Sequence, residues 1–478
     1  MVNNLIKLLD IELRDLQSLF LVSLVLSIPA ILLGDYLIIL LPLILFLILS
    51  FSFGEKFVMV IIVVSLFTLV GDISRTLRNI VYVIDFSLLG YFFLRKYGLN
   101  FSTYSRIPKS IQLFLALYFS VMIVSSLMSD YPFASIGILG NQIALFVIAY
   151  VFYSLISTLK DIKLIFSSIY LVGIILVSSS LIALSNGDVS LLDIFSPNRP
   201  RVSAIITNIE ASTNFYVVAF PLLVSNLLLK YTFSEKKLEY FLLIYFAIGL
   251  VLTMSRSALI GITFSTAVIF FILKRKRFYQ LLSGITVLVL MFVFVQPLNE
   301  LLSTFLRIES GMSARDYIWK MSIDMIKDHV IFGVGPGAYK YEMFNYFPYM
   351  LDDWWGRLFI YFNEVTGGAN LSHNFFLTFF TDMGILGLFT AIILPIVYLR
   401  IGIKTIRKYK NDLPERYYFI VGLFAAGSSI IVRNFLNSIG LLYVGGIQTD
   451  LPFWLIFGSL VFFYMHPSKT VEAITGNN

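Results

Sequence analysis

Apolar stretches of membrane-spanning length recur from one end of this chain to the other, and they leave it few folds to adopt. A helix adds about 1.5 Å per residue, so crossing a hydrocarbon core about 30 Å thick takes roughly 20 mostly apolar residues. Fourteen candidate spans can be placed, at about 18–34, 36–53, 57–71, 79–94, 110–128, 141–158, 162–185, 211–229, 239–254, 257–273, 280–296, 374–399, 417–432 and 451–465. Charged residues make up 13% of the chain and hydrophobic ones 58%, where soluble domains carry about 25% charge. The pattern predicts an all-α, polytopic membrane helical bundle of 12–14 transmembrane helices, with residues 1–478 forming a single integral membrane domain. The first apolar block has no small-residue cleavage signature after it and reads as a span, not a removed signal peptide.

The chain contains no cysteine, which rules out disulfides, thiolate metal sites and cysteine nucleophiles. Its net charge of +7 points to a membrane and not to nucleic acid, because the basic residues sit in short connections between spans. With the N-terminus in the cytoplasm, inward segments hold 23 of the 35 lysines and arginines, including Lys274-Arg275-Lys276-Arg277. The outward segments hold the other 12, six of them in one long loop to which the charge bias does not apply. That asymmetry is the one expected beside an anionic cytoplasmic leaflet. It places both termini inside a plasma or inner membrane, with membrane lipids as partners and no nucleic-acid partner.

One connection differs from the rest. Residues 297–373 form the large extracytoplasmic loop, and charged side chains are concentrated there. Ser313-Ala314-Arg315-Asp316 reads as a capping box opening an amphipathic helix to about Lys327, with an apolar stripe at Ile318, Met321, Met325 and Ile326. Gly333-Val334-Gly335-Pro336-Gly337 breaks it. The aromatic run at 339–355 suits the membrane interface.

Where that loop meets an apolar span stands Ser372-His373-Asn374, holding one of three histidines. An imidazole titrates near pH 6.5 in its ordinary state, which suits it to moving a proton near neutrality. Two readings are open for His373: a base for chemistry at the membrane boundary, or a helix-start histidine bonded to backbone. Among the outward arginines, Arg256 stands in the very short link between two spans. It is either a headgroup or carboxylate partner, or part of a cationic pocket for a phosphate-bearing lipid, which the planar guanidinium grips with two donors. Asp352-Asp353 lacks a third ligand nearby and reads as solvated, so no metal site is expected. His329 reads as a cap of the loop helix, and His466 as a histidine without company beyond the last span. Asp85 reads as the one carboxylate deep within a span, paired with an interfacial basic residue.

His373-Asn374, then nine residues, then Gly384-Ile385-Leu386-Gly387 resembles the signature of the O-antigen ligase family and of related bacterial polysaccharide polymerases. Arg315-Asp316-Tyr317-Ile318-Trp319, Asp328-His329-Val330-Ile331-Phe332-Gly333-Val334-Gly335 and Ser255-Arg256-Ser257-Ala258-Leu259-Ile260-Gly261 resemble the same family's core. Arg199-Pro200-Arg201-Val202-Ser203 does so more loosely. The likeness covers about 190–400, and it departs at Leu388, where the family often has a small hydroxyl residue.

The resemblance implies a metal-independent, cofactor-free membrane glycosyltransferase. Such an enzyme passes a glycan from a polyprenyl diphosphate carrier to a hydroxyl of a glycan, lipid or protein acceptor outside the cytoplasmic membrane. It further implies His373 as general base, Arg256 and Arg315 as holders of the donor diphosphate, and Arg201 as a weaker third. Ligase and repeat-unit polymerase both fit the motifs, and a transporter of polar lipids is the reading from a different class.

Overall fold

The computed structural model describes residues 54–68, 75–98, 106–185, 209–229, 236–253, 255–295, 315–350, 371–442 and 446–466. The expected spans at 18–34 and 36–53 lie outside the described residues, as do Arg201, Ser313, Asp352-Asp353 and Trp354-Trp355. Among the described residues the secondary structure is helical throughout, without strands. Among these residues seven helices are both long and apolar enough to cross a membrane, and Ser212–Leu227 is a shorter apolar stretch. The protein is a multi-pass membrane helical bundle.

The chain divides into two compact units. The first takes in residues 1–105, 150–172 and 471–478. In it α1 (Glu55–Thr68) packs on α2 (Arg75–Tyr97). The Asp85 carboxylate accepts from the Ser65 hydroxyl, so its partner is a neighbouring helix and not an interfacial cation as expected. Serine fits better there, because it satisfies one oxygen without bringing a second charge into the apolar interior. At the end of α2, Lys96 donates to the Leu155 carbonyl (3.2 Å) and to the Ser157 hydroxyl (2.9 Å). Asp161 then caps the next helix through the N–H groups of Ser157 and Thr158.

The second unit, residues 106–149 and 173–470, carries the candidate site. Its helices are α3 (Lys109–Met128), most of α4 (Pro132–Leu155), the latter part of α5 (Leu159–Ser185), α6 (Ile209–Leu227), α7 (Lys237–Thr253), α8 (Arg256–Leu273) and α9 (Arg275–Phe294). There follow α10 (Arg315–Asp328), the single turn α11 (Tyr339–Glu342), α12 (Phe375–Lys408), α13 (Pro414–Arg433) and α14 (Ile447–Met465). At the centre is α13, which packs against α6, α8, α12 and α14. Its sequence explains why. Residues 425–429 are Ala-Ala-Gly-Ser-Ser, and small residues let membrane helices approach until backbones touch. A Cβ at Gly261 of α8 would meet the Ser429 carbonyl at 3.0 Å, and one at Gly427 would strike the Tyr398 hydroxyl of α12.

Two boundaries differ from expectation. The expected 141–158 span begins nine residues earlier, at Pro132, where the polar Ser135 is buried inside the protein. The expected 374–399 span runs on to Lys408, where Lys408 and Tyr409 bond to the His466 carbonyl at 2.6 and 2.9 Å. His466 also stacks on Phe462 at 4.5 Å, so it is not a histidine without company. Nor is Asp85 the one carboxylate within a span, since Asp382 lies well inside α12 and is buried.

Candidate functional site

Asn374 caps α12, its Oδ1 accepting the Leu377 N–H at 3.0 Å. Its Nδ2 donates to the Phe435 carbonyl (2.8 Å), and the Phe375 N–H donates to the Asn434 carbonyl (3.0 Å). The start of α12 is thereby stitched to the chain leaving α13. Immediately before the cap, His373 has φ +53°, alone among the non-glycine residues described. Side chains are uncommon in that region, and the strain persists only where surroundings enforce it. Here Ser372 does so. Its Oγ lies 3.0 Å from the Asn374 carbonyl and 2.7 Å from Thr378 Oγ1, which continues to Ser438 Oγ at 2.9 Å. Ser372 is fully buried while His373 is half-buried.

Arg315 opens α10, and Trp319 lies one turn further along the same face. The Trp319 indole N–H donates to the Ser372 carbonyl at 2.9 Å, which fastens the arginine-bearing end of α10 to the residue preceding His373. Below that bond, Ile318, Met321 and Met325 cluster with Tyr339, Met343 and Tyr346. Three of the four residues of the expected stripe are buried there, and Ile326 is half-buried. The Tyr346 hydroxyl donates to Asp328 at 2.9 Å. Burial, then that bond, pushes its pKa well up, so it remains a donor across physiological pH.

Arg256 opens α8 behind the cap residue Ser255, whose Oγ accepts the Ala258 N–H. The next residue, Ser257, accepts from Arg433 Nε at 3.3 Å, and Arg433 also bonds Asn214 of α6. Arg433 is fully buried and is the last residue of α13. The residues following it, Asn434 and Phe435, are those that hold the start of α12. The links therefore run from Arg256 to Ser257, Arg433, Asn434 and Phe375, and separately from Arg315 to Trp319, Ser372 and His373. Arg256, Arg315 and His373 belong to helix starts fastened to one another through these short steps. The Arg433 link and Trp319 were not picked out from sequence. Their signal was present only as an arginine just past the end of an expected span and as the last residue of the Arg315–Trp319 stretch that resembles the family core.

Arg256 and Arg315 both occupy the first turn of a helix, where the macrodipole leaves partial positive charge and cations are disfavoured by about 0.3–1 kcal/mol. An anion reverses that sign, since the helix dipole and a guanidinium then act together on it. The arrangement suits a phosphate group.

Residues 241–392 match the family model described as O-antigen ligase. That stretch contains Arg256, Arg315, His373 and the Gly384–Gly387 signature, so the chain carries an O-antigen ligase family domain within a multi-pass membrane protein. The match supports a ligase- or polymerase-type membrane function in polysaccharide biosynthesis, and the family implies a polyprenyl-linked glycan donor and a lipid acceptor in general outline. No curated protein matches the chain.

Proposed function

We propose that the protein transfers a glycan from a polyprenyl diphosphate carrier to an acceptor hydroxyl at the extracytoplasmic face of the cytoplasmic membrane. In this reading a ring nitrogen of His373 removes the acceptor's hydroxyl proton as the oxygen attacks the anomeric carbon. The bond from that carbon to the carrier's phosphate oxygen breaks, and the departing diphosphate takes the electron pair. Arg256 and Arg315 hold the diphosphate and oppose its growing charge, with Arg201 as a third candidate. A positioned general base is worth about 10²–10⁴ in rate. Electrostatic stabilisation of the leaving group is the other large contribution. The distribution of lysine and arginine supports a cytoplasmic N-terminus and puts these residues outside.

The observation that carries the reading is the Trp319–Ser372 hydrogen bond. It ties the Arg315 end of a loop helix to the strained turn of His373, which in turn is tied to the Arg433 junction beneath Arg256. The test is transfer by the full chain in lipid nanodiscs, given a synthetic polyprenyl diphosphate glycan and glycan, lipid or protein acceptors in turn. H373A and R315A are both expected to lose at least about 100-fold in transfer, within the range for a general base or a charge-stabilising donor. Full retention of transfer by H373A would defeat the general-base role. Products that grow by repeat units on the carrier would identify a polymerase and not a ligase.

A further inference from the structure

The O-antigen ligase signature ends in two glycines, and the structure gives the first of them a specific task. Gly384 has φ +66° inside α12, a conformation that splits the helix into Phe375–Met383 and a longer second part. Into that break fits the turn that follows α10. The Val334 N–H donates to the Thr381 carbonyl (2.9 Å), the Gly335 N–H to the Asp382 carbonyl (2.8 Å), and the Ile385 N–H to the Val330 carbonyl (2.9 Å). Two serines, one in the last turn of α3 and one just after it, bond to the same backbone. Ser129 donates to the Val334 carbonyl at 2.7 Å and Ser125 to the Asp382 carbonyl at 2.9 Å. There is no room for more: a Cβ on Gly333 would lie 2.3 Å from the Asp382 carbonyl carbon, and one on Gly384 would lie 2.1 Å from the Ile331 carbonyl oxygen.

One side chain joins this backbone contact. The buried Asp382 carboxylate accepts the Gly337 N–H through Oδ2 at 3.1 Å, while Oδ1 is buried without a hydrogen-bond partner. A carboxylate half satisfied in the interior of a membrane bundle costs stability and is retained only where it does something else. Gly337 is the last residue of the turn, directly before the Ala338–Tyr339 step that begins the cluster supporting α10. We propose that Asp382 is a positioning residue: by holding Gly337 it seats the 333–337 turn in the break of α12, and so fixes the Arg315 end of α10 over His373. The inference rests on the donor-binding role given to Arg315 above. The α10 segment is then clamped at two points, at its head by Trp319 on Ser372 just before α12 and beyond its tail by Gly337 on Asp382 within α12. Asp382 touches no substrate; it acts through the loop.

The test compares D382N and D382L in the full chain in nanodiscs. Asparagine retains an oxygen that can accept the Gly337 N–H, whereas leucine fills similar space without an acceptor and leaves no buried charge. D382N is expected to hold donor KM and kcat within about threefold of wild type. D382L is expected to raise donor KM about tenfold, the equivalent of one net hydrogen bond, with acceptor KM unchanged. Trypsin cleavage after Arg315, Lys320 and Lys327 should also be faster in D382L and unchanged in D382N. Loss of kcat in D382N at unchanged donor KM would assign the carboxylate to chemistry and overturn the proposal, as would D382L kinetics and cleavage equal to wild type. If D382L cannot be recovered folded, D382N cleavage decides: wild-type rates support the clamp and faster rates overturn it. If the wild type transfers nothing, the proposed function fails, and cleavage still tests the clamp independently.

Discussion

Arg256 and Arg315 occupy equivalent places, each at the start of a helix, yet they are held by different means. The α8 start is fixed by side chains buried in the body of the bundle, where Ser255, Ser257, Arg433 and Asn214 form one connected set. The α10 start hangs on a loop, secured by one indole–carbonyl bond at its head and by the 333–337 turn beyond its tail. A polar network inside the bundle is rigid because each unmade bond leaves a buried group unpaired. A loop clamped at two points can open by breaking one. Arg256 is therefore the fixed half of the proposed diphosphate site, and Arg315 the half that can admit a carrier with a long polyprenyl tail.

The contrast can be broken most severely from the Arg256 side. R433A removes a buried guanidinium that Asn214 and Ser257 bond to, leaving unsatisfied polar groups and a cavity, and should cost about 2–5 kcal/mol, the range for large-to-small substitutions in a packed interior. Thermal unfolding of the full chain in detergent will show it as a large drop in Tm with loss of transfer. The account of α8 would be wrong if R433A unfolded like wild type. The next effect is on the other side. G333A places a side chain at φ +71° and against the Asp382 backbone. The conformation alone costs about 1–2 kcal/mol, so donor KM should rise at least about tenfold while Tm falls little, because the turn lies outside the α6–α8–α13 packing. A fall in Tm as large as that of R433A would erase the distinction between the two halves. The smallest effect comes from W319F, which retains the ring and loses only the N–H donor to Ser372. About 0.5–1.5 kcal/mol is expected, read as a rise of about two- to tenfold in donor KM.

Much of the fold is legible in the sequence because bilayer thickness sets one length scale for every span. Twelve of the expected spans coincide with helices among the described residues. The boundary of α4 differed where a polar residue, Ser135, is buried in protein near the helix start, since hydropathy cannot tell protein from lipid surroundings. For the site, chemistry was legible and placement was not. A histidine at a span boundary and arginines in short links between spans can be picked out by residue type and by likeness to a family. The split of α12 at Gly384 cannot, because an ordinary helix-compatible run surrounds it and the cause is a turn some fifty residues upstream. Asp382 escaped notice for the same reason: its meaning lies in the Gly337 N–H, which no local pattern brings to it.

The central claim is that Arg256 and Arg315 grip one diphosphate beside His373. Its most direct measurement is the affinity of the full chain in nanodiscs for a polyprenyl diphosphate without sugar, in wild type, R256A, R315A, the double variant and H373A. Hydrogen bonds to charged groups are worth about 1.5–3 kcal/mol, so each arginine substitution should weaken binding by about 10- to 150-fold, with H373A near wild type. Unchanged affinity in either arginine variant would contradict the shared site.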